Sequence, residues 1–249
     1  MEPPKFEKIE GTITVNYFAK LGAISCIQYC HDLGAKWDAS TFASASEKGH
    51  IVTIKFLHDS DCDYDANACE RAAANGHLEC LKYFHKNDYP WESPCAILAA
   101  FNNNLEILIY LHENGCEWSF QTLLAAESGS LRCLEYLLAN GCPNEYPDSL
   151  CSRAAEGGNM DCLKYLFAHG FAIGDSCECA ARGGNLECLK YAHENGGSWG
   201  NAIAFAAQKG SVECIKYAIE NDDDSSAKIY HWTSPLDAAV MAGSIECVK

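Results

Sequence analysis

Hydrophobic and polar positions along this chain alternate with a helical period, and the pattern restarts every 26 or 27 residues. The string Gly76-His-Leu-Glu-Cys-Leu-Lys-Tyr83 returns as Gly184-Asn-Leu-Glu-Cys-Leu-Lys-Tyr191, and looser copies start at Gly22, Gly49, Asn103, Gly129, Gly158, Gly210 and Gly243. These nine anchors are separated by 27, 27, 27, 26, 29, 26, 26 and 33 residues. With each anchor as position zero, +2 and +5 are aliphatic in every unit, from Ile24 and Ile27 to Ile245 and Val248. Position +7 is aromatic wherever the chain reaches it, as in Tyr29, Phe56, Tyr110 and Tyr217. Positions +3, +6 and +10 are mostly charged, and Glu187, Lys190 and Glu194 have the three- and four-residue spacing of a solvent-facing stripe. The pattern predicts an amphipathic helix of about three turns after each anchor.

A shorter helix is predicted before the anchor. An alanine pair recurs at -4 and -3, as Ala72-Ala73, Ala99-Ala100, Ala125-Ala126, Ala154-Ala155, Ala180-Ala181 and Ala206-Ala207, small enough for two helices to approach closely. Ser40, Asn67, Ser149, Asp175, Asn201 and Ser234 at -9 are the expected N-caps. Gly34, Gly115, Gly141, Gly170 and Gly196 at +12, replaced by Asp61, Asp88 and Asp222 in other units, suit a left-handed residue just past a helix end.

These residues resemble the ankyrin repeat. Ser234-Pro-Leu-Asp-Ala-Ala239 is similar to the T-P-L-H-x-A-A opening of that family's consensus, and Asn114-Gly115, Asn140-Gly141 and Asn195-Gly196 are similar to its close. The run L-E-C-L-K-Y-x-H-E-N-G with a following Trp looks like the variant found in amoebal giant viruses and some protists. The resemblance implies an all-α, right-handed ankyrin-type solenoid of about nine units over residues 11–249, after an N-terminal tail of residues 1–10. The family period is 33 residues. The shorter spacing here removes residues where the β-hairpin finger sits, so most fingers are expected to be stubs. Residues 222–233, acidic at Asp222, Asp223 and Asp224, are the one expected full finger and a second candidate surface for a partner, and Pro143 to Asp148 an intermediate one. The last helix is cut at Lys249, which leads us to expect a fragment of a longer protein or an end that frays or docks.

Composition narrows the function. Eighteen Lys and Arg against 34 Asp and Glu give a net charge of -16, which disfavours nucleic acid and anionic membranes and favours a protein partner with a basic or neutral surface. Residues 1–11 carry no secretory pattern and no window reaches the length of a membrane span, so a cytoplasmic protein is expected, in the host cytoplasm or nucleus if viral. Seven of the sixteen cysteines occupy +4 (Cys26, Cys80, Cys133, Cys162, Cys188, Cys214, Cys247) and Cys69, Cys151 and Cys177 occupy -7. Those are core positions, so structural thiols are expected rather than disulfides or zinc, whose paired C-x-x-C ligands do not occur. Histidine at +9 (His31, His58, His85, His112, His193) is expected to bond the next loop, and Trp37, Trp91, Trp118 and Trp199 at +15 to pack between units. No nucleophile, zinc-hydrolase, phosphate-loop or dinucleotide motif occurs, so neither an enzyme nor a cofactor is expected.

In the ankyrin family partners are held by the concave face of fingers and first helices. The resemblance therefore points to positions -2 and -1 of each unit: Glu47, Lys48, Asn75, Phe101, Asn102, Glu127, Ser128, Glu156, Arg182, Gln208, Lys209 and Met241. These vary in type while the core positions repeat, with Phe101 and Met241 as apolar anchors. The expected role is a monomeric interaction scaffold or adaptor. A structural component of a viral or cytoskeletal assembly, or the substrate-recruiting arm of a ubiquitin ligase, are the alternatives.

Overall fold

In a computed structural model, residues 11–124 and 129–221 are described, and among them the chain is wholly helical. The chain divides into two compact units, residues 1–118 and 119–249.

The first unit is four helix pairs: α1 (Gly11–Leu21) with α2 (Ile24–Asp32), α3 (Ala39–Glu47) with α4 (Ile51–Asp59), α5 (Ala66–Ala74) with α6 (Leu78–Lys86), and α7 (Ser93–Phe101) with α8 (Leu105–Glu113). In the second unit a 3-10 turn (Phe120–Leu124) precedes α9 (Leu131–Ala139). Three pairs follow: α10 (Leu150–Gly157) with α11 (Met160–Ala168), α12 (Ser176–Gly183) with α13 (Leu186–Glu194), and α14 (Ala202–Lys209) with α15 (Val212–Asn221).

First helices stack on first helices, α1 on α3, α3 on α5 and α5 on α7, and likewise α10 on α12 and α12 on α14. The alanine pairs sit in these contacts, with Ala72, Ala73, Ala99, Ala100, Ala154, Ala155, Ala180, Ala181, Ala206 and Ala207 all buried. A larger side chain there would force the helices apart.

The second helices bury +4 and +5 as the sequence suggests, but the rest of the stripe is shifted from +2 to +8. Position +5 is inside, from Ile27 to Leu189, but +2 is only half-buried and the rest of the core comes from +4 and +8. Cys30, Leu57, Phe84, Leu111, Leu137, Leu166, Ala192 and Ala218 at +8 are all buried. Offsets of +4, +5 and +8 share one helix face, and the residue at +4 is covered only where a preceding second helix lies beside it. Cys26, in the first second helix of this unit, is accordingly exposed, against the expectation for its position.

Helix ends follow the expected left-handed stops: φ is positive at Gly34, Gly115, Gly141, Gly170 and Gly196, and at Asp61 and Asp88. The aspartates sit near φ 54–57°, in the part of that region a short polar side chain tolerates. Just before the stop, Asn87, Asn114, Asn140, Asn195 and Asn221 donate their side-chain amides to the carbonyls of Tyr83, Tyr110, Tyr136, Tyr191 and Tyr217. That bond satisfies a carbonyl the helix end leaves without an intrahelical partner, which is the physical sense of the Asn before the stop in these five repeats.

The N-caps need correction in two units. Asp38, not Ser40, caps α3, accepting from the backbone N–H of Ser40 and Thr41 in a capping box with the Thr41 hydroxyl. Asp65, not Asn67, caps α5. A carboxylate accepts these bonds more strongly than a hydroxyl or amide and also meets the positive end of the helix dipole. Ser149, Asp175 and Asn201 do stand at the N-cap positions of α10, α12 and α14, but none caps through its side chain. Between repeats the described residues carry no strand. The junction at Pro143 to Asp148 adds a short 3-10 turn (Pro147–Ser149), and the expected full finger at 222–233 lies outside the described residues.

Candidate protein-binding edge

Within each unit the C-terminal ends of the first helices and their turns hold those predicted site residues that are described, and a set of inter-repeat clamps builds these ends. The first clamp is at +1. His50 Nε2 bonds the Lys20 carbonyl at 2.9 Å and His77 Nε2 bonds the Glu47 carbonyl at 3.0 Å. Asn104 donates to the carbonyls of Ala73 and Ala74, and Asn185 to those of Ala155 and Glu156. Each reaches back one repeat to the frayed end of the previous first helix, where carbonyls lack partners.

This clamp explains the anchor glycines more fully than turn geometry does. A Cβ on Gly49 would lie 2.5 Å from the His77 ring, and one on Gly158 2.7 Å from the Asn185 amide. The glycine is needed both for its positive φ and for the side chain laid over it. A +1 column of His50, His77, Asn104 and Asn185 is visible in the sequence. What is not visible is that it touches the preceding anchor.

The second clamp joins the outer sides of the repeats. His85 Nδ1 lies 2.9 Å from the Tyr110 hydroxyl and His193 Nδ1 3.1 Å from that of Tyr217, so the +9 histidine meets the +7 tyrosine of the next unit rather than its loop. His58 instead bonds into the following loop, at the Tyr89 hydroxyl, 2.6 Å away. The +15 tryptophans stack on the same histidines, His31 on Trp37 and His112 on Trp118 at 3.7 Å between centroids, and Trp37, Trp91 and Trp199 reach the next repeat's aromatic ring at +7. Tryptophan at +15 is therefore packing between units, half-buried in each case.

The third clamp involves the predicted site residues themselves. Glu47 receives Lys20 at 3.0 Å, Lys48 at 3.2 Å and Arg71 at 2.7 Å, ties three repeats together, and keeps only 17% of its side chain exposed. The Lys20 hydrogen bond is the main cause that holds the Glu47 carboxyl below the usual range, with Lys48 adding to it against the opposing cost of burial. Arg182 bonds Glu178 at 3.0 Å, lies 3.6 Å from Glu156 and stacks on the Phe205 ring at 4.2 Å, while the other oxygen of Glu178 accepts from the Asn201 backbone. Asn75 and Asn102 cap the ends of α5 and α7 by donating to the Arg71 and Leu98 carbonyls. Glu47, Asn75, Asn102 and Arg182 thus have internal partners. Lys48 and Phe101 in the first unit, and Glu156, Gln208 and Lys209 in the second, are exposed at the ends of their own first helices, Lys48 and Glu156 while also pairing with Glu47 and Arg182. Glu127, Ser128, Met241, Asp222, Asp223 and Asp224 lie outside the described residues.

The thiols are part of the scaffold. Every cysteine among the described residues is free, and those at +4 beyond Cys26, with Cys69, Cys151 and Cys177, are buried. Burial pushes Cys80, Cys133, Cys162 and Cys188 up to about 11 and Cys177 up to about 12. A further role escapes the sequence: Cys62, Cys116 and Cys142 at +13 donate their thiols to the carbonyls of Asp38, Glu92 and Ser119, at 3.4, 3.5 and 3.4 Å. Among the described residues no group of His, Cys, Asp and Glu is arranged to hold a metal ion, and no helix is long and apolar enough to cross a membrane.

Comparison with known proteins agrees with this architecture. No curated protein matches the chain. A solved structure, the crystal structure of the human ASB11 ankyrin repeat domain, superposes with a TM-score of 0.56 at 20% sequence identity, covering 71% of this chain and 96% of that one. That likeness is one of fold. The family model for ankyrin repeats (3 copies) matches residues 96–177 and 177–249, more than half of the chain. With its helix pairs, left-handed stops and stacked first helices, the chain belongs to the ankyrin-repeat family.

Proposed function

We propose that this protein is a non-catalytic scaffold or adaptor that holds a protein partner on the first-helix edge. Ankyrin repeats generally mediate protein–protein interaction and are typically non-catalytic. The observation that carries the reading is Phe101. Its ring is 54% exposed at the end of α7, with Ile97 and Leu98, four and three residues earlier on the same helix, only half-buried. A large aromatic side chain held outward on a rigid helix loses little entropy on binding and suits the centre of an interface. Gln208 and Lys209 offer a second exposed group at the equivalent edge of α14. A reducing compartment such as the cytoplasm fits a chain with this many free, packed thiols, and a monomer is the working state we assign.

The test compares wild type with a variant carrying Phe101→Ala and Gln208→Ala, neither of which removes a clamp described above. Quantitative capture from cell lysate should give a partner retained by wild type and lost by the variant, with the helical circular dichroism of the two unchanged. Equal capture by both would overturn the edge as the interface. A control with Val52→Ala, exposed on α4, should retain the partner.

A further inference from the structure

The charge on the first-helix edge of the first unit is opposite to that of the molecule. Lys20, Lys48 and Arg71 converge on the single carboxylate of Glu47, a local excess of two positive charges in a chain of net -16. The three cations keep 40%, 50% and 51% of their side chains exposed, so most of their N–H donors face solvent. Their positions are fixed from below. The Lys20 and Glu47 carbonyls are held by His50 and His77, and the Arg71 carbonyl by Asn75. The helix ends that carry the cluster are thus held in place, and the shared Glu47 carboxylate orients the three side chains, which lowers the entropy lost on binding.

Apart from Glu47 and Glu70, the acidic groups of the first helices in this unit lie at the other end. Asp38, Asp65 and Glu92 are at the N-caps of α3, α5 and α7. A helix of nine residues separates them from the cluster by about 13 Å, beyond the ~8 Å Debye length at physiological salt. Glu70, beside Arg71, is the one acid nearby on α5, half-buried among Asp65 and Glu92. Net charge therefore governs long-range approach while the cluster governs the docked contact, where opposite charges meet at close range.

From this arrangement, and resting on the reading of the first-helix edge as the interface, we infer that the partner presents a short acidic segment that seats its carboxylates on Lys20, Lys48 and Arg71. Nucleic acid fits less well. Its phosphates continue at one charge per ~1.7 Å and would run onto the acidic caps and a surface of net -16.

The experiment uses the full chain and a fluorescent oligoglutamate peptide, read by anisotropy. Binding is expected at low salt and should weaken strongly from about 50 to about 500 mM salt. Lys48→Glu should reduce affinity at least about fivefold, because it reverses a charge that Glu47 alone engages among the described residues. Lys82→Glu makes the same change in net charge on α6, where Lys82 pairs with Glu79, and should stay within about twofold of wild type. Equal loss in both variants, or no peptide binding at low salt, overturns the inference, as does tighter binding of an oligonucleotide lost in Lys48→Glu. The Phe101 and Gln208 capture result is independent of all three, so the edge can stand while the acidic partner falls.

Discussion

Replacing Gly49 by alanine isolates the contact that joins one repeat to the next. The backbone at Gly49 has φ +69°, where an L residue costs about 1–2 kcal/mol, partly offset by about 0.4–1 kcal/mol from a stiffer unfolded chain. The new Cβ would also lie 2.5 Å from the His77 ring. The ring must swing away, which costs about 0.5–1.5 kcal/mol in rotamer strain and gives up the bond to the Glu47 carbonyl, worth about 1 kcal/mol. The total is about 2–3.5 kcal/mol. Gly34→Ala is the control: its φ is +88° but a Cβ there meets nothing within 4 Å, so only the net backbone cost of about 1 kcal/mol is expected.

Repeat arrays unfold in pieces, so the assay should be local. Native-state hydrogen exchange of the α3 and α5 amides, alongside urea midpoints, reads the joint itself. Gly49→Ala should exceed Gly34→Ala by about 1–2.5 kcal/mol, and most of that excess should vanish when His77→Ala removes the ring first. Equal costs at the two glycines, or an excess that persists without the imidazole, would refute the argument that the anchor is glycine because of its neighbour.

The other predictions read different parts of the scaffold. At pH 8 a thiol reagent should modify Cys26 first, as mapped by mass spectrometry. Cys80, Cys133, Cys162 and Cys188, pushed up to about 11 by burial, should react only as the protein unfolds. Tyr110→Phe removes the partner of His85 Nδ1 and should cost about 0.5–1.5 kcal/mol in urea unfolding, towards the low end because water can replace the hydroxyl at this part-buried site. Glu47 and Glu70 should respond to acid with opposite signs in pH-dependent unfolding. The Glu47 carboxyl is depressed, chiefly by Lys20, so it stabilises the fold above the unfolded carboxylate range, and that contribution is lost as pH falls through its lowered folded value. Glu47→Gln should therefore destabilise at neutral pH and less so in acid. Glu70 is raised by burial, then by Glu92 and Asp65, so Glu70→Gln should stabilise at neutral pH and lose that advantage as pH falls through the carboxylate range.

The repeat, the helix pairs, the left-handed stops and the alanine stacking were legible because each recurs at a fixed offset and depends on local chemistry. The buried stripe was misread because +2 is aliphatic in every unit yet only half-buried, while +8 accommodates Cys30, Phe84 and Ala192 alike and so shows no single residue type. The caps at Asp38 and Asp65 were displaced by two residues because Ser40 and Asn67 are good caps in isolation, and only geometry shows a carboxylate already in place. The clamps of His77 on Glu47 and of His85 on Tyr110 span 30 and 25 residues, a separation at which sequence pattern carries no pairing information.

The same distance limits what variation at the edge means. Positions -2 and -1 differ from unit to unit, which reads as recognition if each residue is taken alone. Glu47 and Arg182 show another cause: each is matched to charges on adjacent repeats, Lys20 and Arg71 in one case and Glu156 in the other, so a change at one must be answered at its neighbour. Variation that is paired in space tunes the joints. Variation that leaves a side chain exposed, as at Phe101, Gln208 and Lys209, is where we propose that a partner binds. The cations around Glu47 belong to both sets, since one carboxylate fixes three of them and leaves their remaining donors in solvent. A partner that bound there would engage groups that also hold α1, α3 and α5 together, and its binding should slow hydrogen exchange in those helices along with the contact itself. Binding without added protection of α1, α3 and α5 would show that the joint and the contact surface are separate.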